Sequence, residues 1–361
     1  MNILGPDGCA RSRALLAALG AIAAGAVLSA CGPALAHSAG SGVARTSEAP
    51  SPAAGTPGRS GAGRPETAGP GLPAPTALIP FTSRGPSGQG TWHAAGRRVR
   101  GVAAVYETRL VPPGGRKPAG IAWMNPRLLS ARLYSGSTSP GGGPYRYTAP
   151  IGPAQAAHVV AAFNGGFKMR DARGGYYTQH RVVDPLRRGA ASLVIYASGS
   201  VNVGAWGRGV VMTPQVVSVR QNLVPLVADG QPTAAARGNW RAWGSTCGAT
   251  SCAASVPGID HQWRSGLGIT ADGALVYVTG PGLDPLQLAL LLVQASAVRG
   301  MQLDINPYWP VFVTYDPPAA DGLAAPPNGR RLLTGTIQGP ATFFQQSWAR
   351  DFITMSARPA A

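Results

Sequence analysis

Apolar positions along this chain alternate or run together in short stretches, and this pattern predicts β-strands. The predicted strands span residues 99–110, 120–124, 127–134, 158–163, 191–196, 201–206, 210–212, 216–220, 267–269, 274–278, 301–305, 311–315 and 351–355. Clusters of Gly and Pro at 112–118 and 135–144 separate the first of them, as is typical of short connections. The pattern therefore predicts mostly β structure, in mixed or antiparallel sheets, with few helices.

The stretch 263–309 carries the clearest local signals in the chain. An Asp-Gly pair at 272–273 lies between two apolar runs, which predicts a β-hairpin. An Asp-Pro pair at 284–285 predicts the start of a helix, and Gly300 is its expected end. A second, short helix is expected at 153–158, directly before a buried strand.

The N-terminal residues have the form of a targeting segment. Arginines precede an apolar run at 14–27, and the segment ends in Leu-Ser-Ala-Cys, which resembles a bacterial lipobox. In that interpretation residues 1–31 are a lipoprotein signal peptide, and Cys31 is acylated and anchors the protein to the outer face of the cell membrane. An ordinary signal peptide cleaved near Ala36 is the alternative.

Residues 32–90 are rich in Ala, Gly, Pro and Ser and contain few apolar side chains large enough to build a core. Such a composition predicts a disordered linker that holds the folded part away from the bilayer. We expect a single catalytic-type domain to follow at 91–361.

The formal charge of +17 raises the question of nucleic-acid binding. Lys117 and Lys168 are the two lysines among 31 basic residues, so arginine accounts for the rest. Because no basic run is interleaved with stacking aromatic side chains, no nucleic-acid partner is expected. Contact with anionic lipid or anionic wall polymer fits the charge better.

Cysteines and metal ligands add little chemistry. Cys247 and Cys252 are close in sequence and, outside the cytoplasm, most simply form a disulfide. No second Cys/His pair has zinc-ligand spacing, and the oxygens of Asp304 and Asn306 fall short of a Ca²⁺ shell. No cofactor is therefore expected, with Ca²⁺ at Asp304 and Asn306 as the open alternative, and the oligomeric state stays open.

Asp304 is the first candidate for chemistry, because it lies in a predicted strand among hydrophobic neighbours. A buried carboxylate needs a partner for its charge, and Arg264 at the mouth of the hairpin is the expected one. The pair either faces a ligand pocket or forms a buried ion pair that sets the register of the sheet.

A second candidate is the turn at Asn164, Gly165 and Gly166, directly after an apolar strand. Two glycines at such a point suggest a tight turn or close approach of the backbone to a ligand. The Asn side chain binds either the ligand or its own turn. His180 belongs to a polar loop, for which both a binding role and plain solvent exposure are open.

Three motifs in this order resemble the phosphodiester glycosidase family. They are Asn-Gly-Gly-Phe at 164–167, Arg-Ser-Gly-Leu-Gly at 264–268 before the Asp-Gly hairpin, and Leu-Asp at 303–304. The resemblance covers roughly residues 95–355. It implies an α+β fold and an extracytoplasmic activity on sugar-1-phosphodiesters. Where the family continues with glycines after the Asp, this chain has Ile-Asn-Pro-Tyr-Trp at 305–309.

The resemblance assigns roles to individual residues. Asp304, Arg264 and Asn164 are the expected catalytic set, in one open cleft. From the residues themselves, and not from the resemblance, the expected substrate-binding residues are Gly165, Gly166, Asn306, His180, His261 and Trp309. The substrate would be a phosphate-linked glycan of the cell envelope. The alternative is a non-catalytic envelope lipoprotein that binds an anionic glycan in the same groove.

Overall fold

A computed structural model describes residues 71–238, 243–244, 261–319, 321–346 and 348–359 of the 361-residue chain. The predicted signal peptide with Cys31, the first part of the predicted linker, and the Cys247–Cys252 pair lie outside these residues. No helix in the described ranges is long and apolar enough to cross a membrane.

The secondary structure is mostly β, with four short α-helices among the described residues. In chain order the elements are β1 (His93–Ala95), β2 (Val105–Leu110), β3 (Ala119–Met124), β4 (Leu129–Tyr134), α1 (Pro153–Ala156), β5 (Val159–Asn164), α2 (Met169–Ala172), β6 (Tyr176–Thr178), β7 (Arg181–Asp184), β8 (Ala191–Tyr196), β9 (Val201–Ala205), β10 (Val216–Gln221), β11 (Val227–Ala228), β12 (Gln231–Pro232), α3 (Ala234–Arg237), β13 (Gln262–Thr270), β14 (Leu275–Leu283), α4 (Pro285–Gln294), β15 (Ala297–Ile305), β16 (Phe312–Tyr315), β17 (Gly329–Arg331) and β18 (Phe352–Ala357).

These strands form three sheets. The large sheet has the order β1-β2-β3-β14-β13-β15-β11-β12. The β5 sheet has the order β17-β16-β5-β18-β4, and the β10 sheet has the order β7-β6-β10-β8-β9. Every pairing between described strands is antiparallel, for instance β13 with both β14 and β15. The antiparallel, helix-poor architecture expected from the sequence is therefore confirmed.

Both faces of the large sheet are covered by other parts of the protein. The central strands β13 and β14 are therefore buried over most of their length. Tyr277 and Met301 pack in one core with Phe163 of the β5 sheet and Leu193 of the β10 sheet. Val276, next to Tyr277, belongs to a second core on the other face, which includes the apolar side of α4. Consecutive strand residues point to opposite faces, so β14 contributes to both cores.

The predicted hairpin and helix start are both present. The Asp-Gly pair at 272–273 joins β13 to β14, with Gly273 at φ +90°. Asp284 caps α4 in a capping box with Gln287. The predicted helix end at Gly300 is wrong: α4 ends at Gln294, and Gly300 lies inside β15, where it pairs with Gly268. Pairing with β13 prevails over helix propensity from residue 297 onward.

Two other segments differ from the sequence-based expectation. The polar stretch 168–190, expected to be a loop, contains α2, β6 and β7. Residues 71–90, assigned to the linker, contact the folded part: the Leu72 carbonyl accepts a hydrogen bond from Asn125, and the Ile79 carbonyl accepts one from Gln294. These backbone contacts hold a segment that has few large apolar side chains of its own.

One half-buried carboxylate lies between the large sheet and the β5 sheet. Glu107 of β2 accepts a 3.4 Å hydrogen bond from the Thr314 hydroxyl of β16. Burial raises the pKa of Glu107 from 4.5 to about 7, against the opposing effects of Thr314, Arg330 and Arg109. The folded protein therefore holds a proton on Glu107 at pH values at which the unfolded chain has lost it.

We expect Glu107→Gln to stabilise the fold at high pH, because the amide cannot ionise. The raised folded-state pKa means that the stability contributed by protonated Glu107 is complete below pH 4.5 and is lost as the pH rises through 7. The gain in unfolding free energy over the wild type should be about 2–3 kcal/mol larger at pH 8 than at pH 4.

Urea denaturation at the two pH values measures this difference. The control is Asp321→Asn at an exposed position, which should shift stability little at either pH. A Gln variant whose gain is the same at both pH values would contradict the assignment.

Candidate functional site

Four buried charged side chains lie together where the three sheets meet. Asp304 is near the end of β15 in the large sheet, and Arg220 is near the end of β10. Arg350 and Asp351 directly precede β18 of the β5 sheet. We call these four residues the ionic cluster. Because each sheet contributes at least one member, the cluster forms only when all three sheets are in place.

Each cation in the ionic cluster pairs with an anion from another sheet. Arg220 Nε lies 2.8 Å from Asp351 Oδ2, and Arg350 Nη2 lies 2.6 Å from Asp304 Oδ2. The first pair connects the β10 sheet to the β5 sheet, and the second connects the β5 sheet to the large sheet. Buried charges are tolerated when they are paired and hydrogen-bonded in this way.

The glycine turn after β5 packs directly against the ionic cluster. A Cβ atom on Gly165 would lie 2.0 Å from Asp351 Oδ2, and one on Gly166 would lie 3.1 Å from Arg220 Cζ. Arg350 Nη2 also donates to the Gly166 carbonyl. The two glycines, expected to allow close approach of the backbone, allow it toward these charged side chains.

Asn222 holds the same turn from the other side. Its Oδ1 accepts from the Phe167 N–H at 3.0 Å, and its Nδ2 donates to the carbonyls of Gln302 and Leu303. The amide therefore links the turn to β15 immediately before Asp304.

Asn164 acts through neighbouring residues. Its Oδ1 accepts from the Tyr277 hydroxyl at 2.7 Å and from the Val311 N–H at 3.0 Å. Its Nδ2 donates to Ser265 Oγ at 3.0 Å, and that oxygen also accepts from the Asp304 N–H at 3.1 Å. With these bonds in place, Asn164 positions Asp304 through Ser265.

The expected pairing of Arg264 with Asp304 is wrong. Arg264 Nε donates to the Leu283 carbonyl, and its Nη1 donates to Gln302 Oε1, each at 2.8 Å. Ser265, the next residue of β13, is the one that faces Asp304. Asp304 pairs instead with Arg350, so the expected ion pair between Arg264 and Asp304 is not formed.

The pKa of the Asp304 carboxyl group is unusually high. Burial raises its pKa from 3.8 to about 7, although Arg350 and the Ile305 N–H both favour the charged form. Asp351 of the other ion pair raises the pKa further. Near neutral pH the group can therefore hold a proton or give it up, which is what a general acid or base requires.

Arg350 has donors that the described protein atoms do not use. Its Nη2 is bonded to Asp304 and to the Gly166 carbonyl, but its Nε is buried and has no hydrogen-bond partner. The guanidinium carbon lies 4.5 Å from the centre of the Trp309 ring, and Trp348 contacts the same ring edge-on. Fixed in orientation and incompletely bonded, this cation is suited to hold an anion.

The remaining predicted binding residues divide into two groups. Trp309 contacts the ionic cluster, and Asn306 lies beside it, turned by a φ of +68° and bonded through Oδ1 to the Tyr308 N–H. His180 lies in the turn between β6 and β7, and His261 is 3.8 Å from Asp284 at the start of α4. The structure does not bring either histidine to Asp304.

Sequence reasoning missed Arg220, Arg350 and Asp351. A signal for them exists, because acidic residues are scarce in this chain and an Arg-Asp pair directly precedes the apolar strand 352–355. A charge at the edge of a fully buried strand needs a partner. What the sequence does not show is which distant strand supplies it.

No group of three or more His, Cys, Asp or Glu side chains suited to a metal ion occurs within the described ranges. In the ionic cluster each carboxylate is bonded to a guanidinium, which leaves the cluster poorly suited to compete for a cation.

Comparisons with known proteins give distant structural similarities. No family model matches the sequence, and no curated protein matches it. The zebrafish N-acetylglucosamine-1-phosphodiester alpha-N-acetylglucosaminidase catalytic domain, auto-inhibited by its pro-peptide, is 13% identical with a TM-score of 0.42, over 74% of this chain and 88% of that one. A hypothetical protein from Synechocystis is 13% identical with a TM-score of 0.39, over 72% and 63%. An exported protein from Burkholderia pseudomallei is 12% identical with a TM-score of 0.34, over 66% and 74%. Similarities at this level assign no function.

We expect Arg220→Met to destabilise the fold by about 3–5 kcal/mol, because it leaves the Asp351 carboxylate buried without its partner. Adding Asp351→Asn removes that charge and should restore part of the loss. Urea unfolding of the wild type, both single variants and the double variant measures the coupling.

Arg109→Met, at an exposed position on β2, is the matched control and should cost less than about 1 kcal/mol. A double variant whose loss equals the sum of the two single losses would show that Arg220 and Asp351 do not support each other.

Proposed function

We propose that this protein is an extracytoplasmic hydrolase that cleaves the bond between a sugar and a phosphodiester in an envelope glycan. One observation carries the proposal: Asp304, with a pKa of about 7, is held 2.6 Å from Arg350, and the Nε of Arg350 is buried without a partner. A proton-transfer group and an anion-binding group are thereby placed side by side.

Hydrolysis of a sugar-1-phosphodiester depends mainly on stabilising the leaving group. The bond between the anomeric carbon and the phosphate oxygen breaks, and the electron pair stays on that oxygen. Arg350 can donate Nη1–H to the departing phosphate and so stabilise its negative charge. Since the leaving group is already an anion, strong protonation by a general acid is not required.

Asp304 acts in this proposal as the general base. Its ionised carboxylate takes a proton from the attacking water, whose oxygen forms the new bond to the anomeric carbon. Asn164 holds Asp304 in position through Ser265, and Gly165 and Gly166 keep the backbone close. A base with a pKa near 7 is ionised in a useful fraction at neutral pH and still accepts a proton readily.

The aromatic residues after β15 supply a surface for the sugar. Tyr308 is 45% exposed and contacts Trp309 edge-on, with ring centres 4.7 Å apart. Trp309 in turn lies over Arg350. A sugar stacked on these rings would have its anomeric phosphate near the guanidinium.

The proposed location follows from the N-terminal sequence. Acylation at Cys31 would anchor the protein at the outer face of the cell membrane, and the linker would give the domain reach into the envelope. A phosphate-linked wall or capsule glycan is the substrate within that reach.

A second function has its own observation. Asp304 is 4% exposed and Arg350 is 5% exposed, and bulky residues at 305–309 stand where the resembled family has glycines. This favours a non-catalytic lipoprotein that binds an anionic glycan at the aromatic surface above the ionic cluster.

We expect Asp304→Asn and Arg350→Gln each to lower kcat/KM for a sugar-1-phosphodiester by roughly 100- to 1000-fold, the usual effect of removing one well-placed catalytic group. The wild-type rate should rise with pH and level off above about 7, because the base must be ionised. Release of sugar from UDP-sugars and synthetic sugar-1-phosphodiesters, with the purified full-length protein, measures both effects.

Asp272→Asn is the matched control, since Asp272 lies in the hairpin turn at the other end of β13 and its change removes the same charge. Melting curves show whether each variant is folded. Saturable binding of the phosphodiester without turnover would support the binding protein and refute the hydrolase.

A further inference from the structure

A groove of about 740 Å³ lies between the β5 sheet and the β10 sheet, apart from the ionic cluster. Its walls come from β4, the ends of β8 and β10, the turn between β6 and β7, and the residues that follow β18. None of Arg220, Asp304, Arg350 or Asp351 lines it. A site of this volume is large enough for a whole small molecule.

The described lining residues are strongly one-sided in charge. They include Arg132, Arg146, Arg358, His158 and His180, and no Asp or Glu. We call this site the arginine groove. Neither Arg132 nor Arg146 forms an ion pair with a carboxylate among the described residues. The groove therefore offers guanidinium groups whose charge is not balanced locally.

A tyrosine orders these guanidinium groups. The Arg132 and Arg146 guanidinium carbons lie 4.2 Å and 5.3 Å from the centre of the Tyr147 ring. Stacking on an aromatic ring limits the orientations that an exposed arginine adopts and directs its donors outward. Two guanidinium groups on one ring without a carboxylate concentrate positive charge in the groove, and a bound anion would offset it.

The turn between β6 and β7 adds a second, independent observation. Gln179 and His180 both have positive φ, 52° and 61°, in a two-residue turn of a kind that favours Asn-Gly. Gln179 Oε1 accepts from the Arg146 N–H at 3.0 Å, but its Nε2 is buried and has no hydrogen-bond partner. The wall of the cationic groove thus combines a strained turn with an unsatisfied buried donor, and both features are typical of binding sites.

From these contacts we infer that the arginine groove binds an anionic saccharide, in which Arg132 and Arg146 hold a phosphate or carboxylate and Gln179 donates to a sugar oxygen. Tyr196, also in the lining, offers ring surface to the sugar. The ligand is a free sugar phosphate or one unit of a phosphate-linked polymer, which share this chemistry. The inference does not depend on the activity proposed for Asp304.

Calorimetric titration of the purified full-length protein tests the inference. We expect glucose 1-phosphate to bind at least 10-fold more tightly than either inorganic phosphate or glucose. A polymer of glycerol phosphate added in a second arm distinguishes the two sources: tighter binding of the polymer per phosphate indicates a chain segment, and tighter binding of the monomer indicates a free sugar phosphate.

Variants then locate the site. The double variant Arg132→Gln/Arg146→Gln should weaken glucose 1-phosphate binding at least 10-fold, and Gln179→Met should weaken it while leaving inorganic phosphate binding unchanged. Arg84→Gln/Arg98→Gln removes the same charge at exposed positions outside the groove and should have little effect. Any hydrolysis that depends on Asp304 should persist in the groove variants, which separates the two sites.

Several results would overturn the inference. They are no saturable binding of either phosphorylated probe, an equal loss in the control double variant, or tighter binding of a single-stranded oligonucleotide or of anionic lipid vesicles than of the saccharides. Melting curves matching the wild type establish that a loss of binding is not a loss of fold.

Discussion

Two buried ion pairs at the junction of the three sheets constrain how the sheets are arranged relative to one another. Arg220 with Asp351 and Arg350 with Asp304 each connect strands that are not neighbours in any sheet. A buried ion pair adds little net stability over apolar packing, but the loss of one partner leaves an uncompensated charge. The pairs therefore select one mutual arrangement of the sheets, because any other arrangement would leave charges buried and unpaired.

The two pairs are chemically unequal. Each of the three side-chain nitrogens of Arg220 donates a hydrogen bond: Nε to Asp351, Nη1 to the Gln221 carbonyl and Nη2 to the Phe167 carbonyl. Arg350 keeps a buried Nε without a partner, and its Asp304 has a pKa raised to about 7. The first pair thus has a structural role, while the second retains the proton and the donor that a reaction or a ligand needs. Burial is the main reason that the pKa of Asp304 is raised; within the first pair, Asp351 raises that pKa and Arg220 lowers it.

Local signals in the sequence predicted local structure well. The Asp-Gly turn at 272–273 and the cap at Asp284 depend on residues within a few positions, and both are present. The hydrophobic neighbours of Asp304 correctly indicated that it is buried, but Arg264, its expected partner, is not the observed one. The observed partner, Arg350, comes from another sheet, and the register shifts of β13 between residues 264 and 266 obscure which side chains share a face. Strand periodicity does not show which residues of different sheets will pair, because that pairing depends on how the sheets pack in the folded protein.

The net charge of the chain becomes informative only after the acids are located. Asp304 and Asp351 are paired with Arg350 and Arg220 within the ionic cluster, so they do not offset the charge of the other arginines. The excess of arginine over acidic residues therefore remains outside the cluster. Such an excess of positive charge attracts anions without selecting among them. Selection requires fixed geometry, and in the arginine groove the stacked guanidinium groups on Tyr147 and the strained turn at Gln179 supply it.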